Sequence, residues 1–261
     1  SASALWLVQN SPGLWWLWTW ILLVLSSLLI TIISPRLLEP LFFKLTRITR
    51  TELETKIRRM AKRTGVRPTG IWQIDASRRS SHANAYFTGF GRQKRIVLFD
   101  TLLGQLDDDE IVAVLAHEIG HWRLSHLRRR LWFGISASLI ASILAYLALH
   151  TNSLDILFCN QQPSFAARTL FLWLLGCMAG TAIRPLLNGW MRRHEWQADR
   201  FACDILDQPR NLATALAKMA KNNLANLCPH PMYAKTYFPH PPIVDRIQAI
   251  TNELNKQNPD G

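Results

Sequence analysis

Three long apolar stretches limit this chain to folds that can bury them in a lipid bilayer. The first two contain no Lys, Arg, Asp or Glu, and the third is interrupted only by Arg168 and Arg184. Each can cross the hydrocarbon core as a helix of about twenty residues, the third by tilting while its arginines snorkel to the interface. We expect a mainly α-helical, polytopic membrane protein with three transmembrane helices, at about residues 14–34, 131–150 and 168–190.

Positive charge is distributed unevenly around these stretches. Residues 1–35 and 131–167 contain no Lys or Arg, whereas basic residues crowd the opposite flanks. By the positive-inside rule, the segments 36–130 and 191–261 are cytoplasmic. We expect the chain to form a single membrane-embedded domain, 1–261, with these two segments together on its cytoplasmic side.

The net charge of +12 follows largely from this topology and attracts the chain to the anionic lipid bilayer. No nucleic-acid-binding motif accompanies the charge. We therefore expect no nucleic-acid partner.

Residues 117–121 read His-Glu-Ile-Gly-His, which matches H-E-x-x-H. Histidines four residues apart share one helical face and can bind one metal ion, while the glutamate activates a water. A helix is expected here because Asp107 and Glu110 can form a capping box before an apolar run. The pattern indicates a zinc metalloprotease with Glu118 as the general base.

A catalytic zinc site needs a third protein ligand and an open position for water. The best candidate is Glu195, which shares a helical face with Asp199, and Asp199 could then orient a ligating histidine. Taken alone, the two acids could equally pair with neighbouring arginines on a surface helix. His82, His230 and His240 are further candidates, but none has a second metal-type residue at helical spacing.

Spacing from the apolar stretches favours Glu195 as the third ligand. His121 lies ten residues before residue 131, and Glu195 lies twelve residues after residue 183. Helices continuing out of the bilayer at about 1.5 Å per residue would carry these side chains roughly 15 and 18 Å beyond it. Antiparallel neighbours would then bring His117, His121 and Glu195 together as the ligands of one zinc ion per chain.

Two other histidines have open interpretations. His126 lies about 140° around the helix from the metal face, so we expect it to lie on the outside of that helix or at the membrane boundary. His240 is held between prolines, and it could hydrogen-bond a developing oxyanion or simply cap and pack the last helix.

A small β element is expected inside this helical protein. Residues 70–75 read as a short strand, and residues 84–88 and 95–99 read as a hairpin around Gly89-Phe90-Gly91. An edge strand next to a protease site can pair with an extended substrate. The alternative is a hairpin that merely braces the zinc helix.

A cytoplasmic helix precedes this β element. We expect Thr51 and Glu54 to form its capping box and Gly65 to stop it.

Five motifs occur together in this chain: SSHANAYFTGFG at 80–91, RIVLFDTLL at 95–103, HEIGHW at 117–122, EWQADRFA at 195–202 and His-Pro-Pro at 240–242. In combination they closely resemble the integral-membrane zinc endopeptidases known as type I CAAX prenyl proteases. The resemblance covers roughly residues 15–250. Longer members of that family carry further membrane spans before the one that corresponds to residues 14–34.

The resemblance implies the roles of the central residues. His117, His121 and Glu195 would bind zinc, Glu118 would be the base, and Asp199 would support a ligand. It implies that Asn84 holds substrate backbone beside the cleft and that the His240 region stabilises the transition state.

The implied substrate is a protein with a prenylated cysteine, from which the C-terminal tripeptide is removed. A related branch, the bacterial heat-shock membrane proteases, shares the zinc motif, so a broad-specificity quality-control protease for unprenylated proteins is the first alternative. A membrane scaffold tied together by zinc without catalysis is the second. The short loops and compact size favour a bacterial inner membrane over the endoplasmic reticulum.

Overall fold

The structure is a computed structural model that describes residues 13–34, 39–78, 84–88, 93–151, 154, 157–158 and 163–257. The residues expected at the hairpin tip, 89–91, lie outside the described ranges, as does His82. The helices and strands are α1 (Trp15–Ile33), α2 (Glu39–Phe42), β1 (Leu45–Arg47), α3 (Thr51–Arg63), β2 (Arg67–Ile74), β3 (Ala85–Thr88), β4 (Gln93–Phe99), α4 (Asp100–Gln105), α5 (Asp108–Arg123), α6 (His126–His150), α7 (Phe165–Ile205), α8 (Arg210–Asn222), α9 (Pro231–Tyr237) and α10 (Ile243–Gln257).

Three helices in the described part of the chain, α1, α6 and α7, are long and apolar enough to cross a bilayer. No residue of α1 is buried by other protein groups, and Leu23 and Leu29 are 65% and 57% exposed. Apolar side chains without protein neighbours require lipid around them. The prediction of a mainly helical, multi-pass membrane protein with three spans is confirmed.

The chain divides into two compact units. One contains α1, most of α6 and the first part of α7. The other contains the β-sheet and the remaining helices. The division within α7 falls at Pro185, whose ring removes a backbone hydrogen bond from the helix interior.

The second unit contains a four-stranded mixed sheet with the order β1-β2-β4-β3. Strands β3 and β4 are antiparallel, as the predicted hairpin requires, whereas β2 and β4 are parallel. Ile71, Ile96 and Leu98 belong to the main core on one sheet face. Helix α5 packs next to β3, which is an edge strand of the sheet.

Helix α3 begins at Thr51, but the predicted capping box is wrong. Arg50 occupies the N-cap position and makes no capping hydrogen bond through its side chain. The carboxylate of Glu54 instead accepts from Arg58 one turn later, at 2.6 Å, so it does not reach back to the cap. The helix ends as expected, because Gly65 adopts a φ of 72° that L side chains rarely take.

Candidate metal centre

The capping box predicted at the start of α5 is confirmed. Asp107 Oδ1 accepts from the Glu110 amide at 2.9 Å, and Glu110 Oε2 accepts from the Asp107 amide at 3.0 Å. Lys218 Nζ lies 2.7 Å from the buried Glu110 carboxylate and balances its charge. Because His117 and His121 are four residues apart in this capped helix, they face the same side.

Helices α5 and α7 approach each other closely at Gly120 and Ala198. A Cβ placed on Gly120 would lie 3.1 Å from Ala198 Cα and 3.2 Å from the Ala198 carbonyl oxygen. Glycine at this position removes the side chain that would separate the two backbones. Consequently the two halves of the predicted site, 117–121 and 195–199, lie side by side.

His117, His121 and Glu195 converge, and one ligand atom from each lies within 4.8 Å of the other two. The two Nε2 atoms are 3.1 Å apart. His121 Nε2 lies 3.2 Å from Glu195 Oε1, and His117 Nε2 lies 3.5 Å from Glu195 Oε2. Ligand atoms around a tetrahedral zinc ion lie roughly 3.4 Å apart, so this donor set fits zinc.

Asp199 lies behind this group and contacts the other side of His117. Its Oδ1 is 2.8 Å from His117 Nδ1, so it can accept the ring N–H and leave Nε2 free for a cation. Arg246 donates to both Asp199 oxygens, at 2.6 and 2.8 Å, and is itself only 6% exposed. The pair therefore holds a buried carboxylate in place.

Arg246 is not among the residues that the sequence predicted for this site. A signal was present, because Arg246 interrupts the apolar stripe of α10 that includes Ile243 and Ile250. A cation within an apolar helical stripe is buried only when it has a partner of opposite charge. Its partner, Asp199, lies 47 residues earlier in the chain, which no local pattern reveals.

The pKa values of His117 and Glu195 are strongly shifted in this cluster. Burial disfavours a charged His117, but Asp199 and Glu195 outweigh this effect and raise its pKa to about 9. Burial also disfavours ionised Glu195, yet hydrogen bonds from His117 and His121 hold the pKa of its carboxyl well below the usual range. At neutral pH, a cation binding here must displace a proton from His117.

Glu118 follows His117 in α5 and is partly buried. Burial raises the pKa of its carboxyl, while the neighbouring His117 and His121 oppose that shift. A carboxylate with a raised pKa is a stronger proton acceptor than a solvated one.

Two further predicted residues, His240 and Asn84, are both exposed but have different neighbours. His240 is 63% exposed, and its Nδ1 lies 2.9 Å from Glu195 Oε2. Asn84 is exposed at the start of β3, where its carbonyl accepts from the Phe99 amide and its side chain accepts from the Ala85 amide. Thus His240 directly contacts a member of the metal group, and Asn84 lies at the edge of the sheet.

His126 is not where the helical spacing predicts. It is only 2% exposed, and its Nδ1 lies 3.1 Å from His121 Nδ1. The 140° estimate assumed one continuous helix, but α5 ends at Arg123 and Ser125 adopts a φ of 59°. The expectation that His126 lies on the outside of the helix is wrong, because Ser125 changes the direction of the chain before His126.

The model for the family described as peptidase family M48 matches residues 47–254. The chain belongs to peptidase family M48. A second family model, described as "CAAX prenyl protease N-terminal, five membrane helices", matches residues 1–44 of this M48 protein. Membership implies a metal ion, and His117, His121 and Glu195 form a group that could hold one. The resemblance found in the sequence is confirmed.

The M48 chain is 35% identical to a CAAX prenyl protease 1 homolog of Arabidopsis thaliana, over 98% of this chain and 60% of the relative. It is 29% identical to the uncharacterized metalloprotease YhfN of Bacillus subtilis, over 96% of this chain and 59% of the relative. It matches the crystal structure of S. mikatae Ste24p with a TM-score of 0.83 and 30% identity, over 95% of this chain and 61% of that one. The chain thus spans about three-fifths of the length of these proteins.

Proposed function

We propose that this protein is a zinc-dependent membrane endopeptidase that removes the C-terminal tripeptide after a prenylated cysteine. The observation that carries the proposal is the convergence of His117, His121 and Glu195, with Glu118 next to His117 in the same helix. Two imidazoles and one carboxylate are the ligand set of a known class of catalytic zinc sites, which keep a fourth position open. This donor set would hold one zinc ion per chain.

Each protein group around the ion has a definable task. Zinc bound to these ligands would supply the Lewis acidity that activates water and polarises the scissile carbonyl. Glu118 would accept the proton of the attacking water and return it to the leaving amine. Asp199 would keep the proton on His117 Nδ1, so that Nε2 faces the ion.

The substrate backbone would be held beside the ion by strand β3. Within the described residues β3 is an edge strand, and α5, which carries the histidines, packs against it. An extended peptide can add to such an edge through backbone hydrogen bonds. Asn84, exposed at the start of β3, would hydrogen-bond the substrate backbone, and the exposed His240 would donate to the developing oxyanion.

The prenylated substrate is supported by the relative from A. thaliana, which bears the name CAAX prenyl protease 1 homolog. A membrane enzyme suits a substrate whose isoprenoid remains in or near the bilayer. The distribution of Lys and Arg supports a catalytic site on the cytoplasmic side. Relatives occur in both a plant and a bacterium, so a bacterial inner membrane stays a prediction from loop length.

The decisive experiment compares matched peptides with and without a farnesyl group on the cysteine, using the purified protein in phospholipid vesicles. Release of the free tripeptide is followed by mass spectrometry, and a chelator should abolish it. We expect Glu118→Gln to retain zinc while losing about 10²–10⁴-fold in rate. Glu54→Gln, which alters a surface ion pair with Arg58, is the matched control and should remain active.

Three results would contradict parts of this proposal. Equal cleavage of the bare peptide would instead support a quality-control protease. Zinc binding without hydrolysis of either peptide would support a scaffold. Hydrolysis by a zinc-loaded Glu118→Gln variant would refute the assignment of the base.

A further inference from the structure

On the basis of the zinc-binding role proposed for His121, we propose that His126 is a positioning residue. Together with Gln197, it holds His121 in the tautomer whose Nε2 is free to bind the ion. His126 is buried, with its Nδ1 3.1 Å from His121 Nδ1 and its Nε2 3.0 Å from Gln197 Oε1. The three side chains form a continuous hydrogen-bonded relay that ends at a zinc ligand.

The direction of the relay follows from donor and acceptor chemistry. An amide oxygen only accepts, so His126 Nε2 must carry the hydrogen that it donates to Gln197 Oε1. In a neutral imidazole the other nitrogen is then an acceptor, so His126 Nδ1 accepts from His121 Nδ1–H. His121 consequently presents an unprotonated Nε2 toward Glu195 and His117.

The opposite arrangement does not suit a metal site. If Gln197 presented its amide nitrogen, His126 would donate from Nδ1, and His121 would carry its hydrogen on Nε2. That hydrogen would occupy the direction in which the ion must bind. The metal site and the relay therefore require the same orientation of the Gln197 amide.

The same geometry excludes His126 as a fourth ligand. Its Nδ1 contacts Nδ1 of His121, the nitrogen on the far side of that ring from the Glu195 carboxylate. A ligand would instead approach the group formed by the two Nε2 atoms and Glu195. His126 thus acts on the ion only through His121.

The fold holds the His126 ring firmly in this position. His126 stacks on His194 with ring centroids 4.1 Å apart and planes 10° from parallel. His194 in turn packs edge-on against Trp190, at 4.8 Å. Ser125, with a φ of 59°, makes the turn that places His126 at the first position of α6.

The two zinc-binding histidines therefore have supports of different charge. His117 is backed by Asp199, a carboxylate that Arg246 balances. His121 is backed by the neutral relay of His126 and Gln197. Partners of this kind orient ligands, and their loss typically weakens metal affinity about 10–100-fold.

Zinc affinity tests the relay independently of proteolysis, by competition between the full-length purified protein and a chromophoric chelator. His126→Phe keeps a stacking ring but removes the acceptor, and we expect zinc binding to weaken about 10–100-fold. His126→Asn places an amide oxygen near the former Nδ1 and should restore most of the affinity. Gln197→Met removes the acceptor for His126 and should weaken binding less than His126→Phe does.

His194→Phe is the matched control for packing, because it keeps the ring that stacks on His126 while removing its nitrogens. Its zinc affinity should equal that of the unaltered protein. Equal losses in His194→Phe and His126→Phe would assign the effect to packing and overturn the relay. The relay would also be overturned if His126→Asn unfolded at the same temperature as the unaltered protein but bound zinc no more tightly than His126→Phe.

His121→Ala separates failure of the relay from failure of the proposed metal site. If His121→Ala binds zinc as tightly as the unaltered protein, the metal assignment itself is wrong. If His121→Ala loses zinc while His126→Phe retains full affinity, only the relay is wrong. The visible spectrum of the cobalt-substituted protein gives a second readout, which should change in His126→Phe and be restored in His126→Asn.

Discussion

Gly120 of helix α5 lies directly against the backbone of Ala198 in helix α7, with 3.1 Å between its virtual Cβ and Ala198 Cα. Gly120 belongs to the His-Glu-Ile-Gly-His motif, and Ala198 lies between Glu195 and Asp199. The two central motifs are therefore in contact through their smallest residues. This close approach brings a glutamate to two histidines that precede it by more than seventy residues.

Gly120→Ala should force these helices apart. The added methyl meets backbone atoms that cannot rotate away. We therefore expect the free energy of unfolding to fall by about 1–3 kcal/mol and zinc to bind more weakly. Thermal unfolding in detergent and chelator competition measure the two effects. Gly104→Ala is the matched control, since a methyl there meets no atom within 4 Å and should stabilise its helix by roughly 0.5–1 kcal/mol. Unchanged zinc affinity in Gly120→Ala would contradict this account.

Asp199→Asn should weaken zinc binding about 10–100-fold without removing a ligand. The neutral amide accepts more weakly from His117 Nδ1, and it leaves the buried Arg246 with only the more distant Glu195 carboxylate, at 3.7 Å. Chelator competition measures the zinc affinity, and thermal unfolding should show a lower midpoint even without zinc. Asp245→Asn, an exposed neighbour of Arg246 in sequence, should change neither quantity. If both substitutions had equal effects, the buried pair would not support the ligand.

Zinc binding should release about one proton from His117 at pH 7.5. Without zinc the pKa of this ring is raised to about 9, so it is protonated below that pH, whereas a ligating imidazole is neutral. Apparent affinity should therefore rise about tenfold per pH unit through this group and level off above about pH 9. Calorimetry in buffers of different ionisation enthalpy counts the protons. Asp199→Asn should lower the pH above which zinc affinity no longer increases. An unchanged dependence of affinity on pH would contradict the view that Asp199 raises the pKa of His117.

Asp107→Ala should destabilise the protein by about 0.5–2 kcal/mol, because it removes the cap from the helix that carries both histidines. Asp107→Asn keeps an oxygen that can accept from the Glu110 amide, so it should destabilise the protein much less than Asp107→Ala. The midpoints of thermal unfolding distinguish the two variants. Equal destabilisation by both would indicate that the charge of Asp107, which lies 3.5 Å from Lys218, matters more than the cap.

Much of the local structure was predictable because it depends on residues close in sequence. Long apolar stretches predicted the three spans, and strand-like segments on either side of a glycine-rich turn predicted the pairing of β3 with β4. The same local logic failed at Thr51, because Glu54 had a competing partner in Arg58. It also failed at His126, because a helical wheel assumes that the helix continues.

The sequence by itself determined which residue types could bind a metal and placed two of them, His117 and His121, on one helical face. That result needs only the helical repeat and a cap at Asp107. Tertiary structure alone decided what lies behind each histidine, namely Asp199 with Arg246 for one and His126 with Gln197 for the other. The physical reason is that these contacts depend on a glycine-mediated helix crossing and on one left-handed residue, Ser125. Neither has a periodic pattern in sequence, so neither could be predicted from spacing.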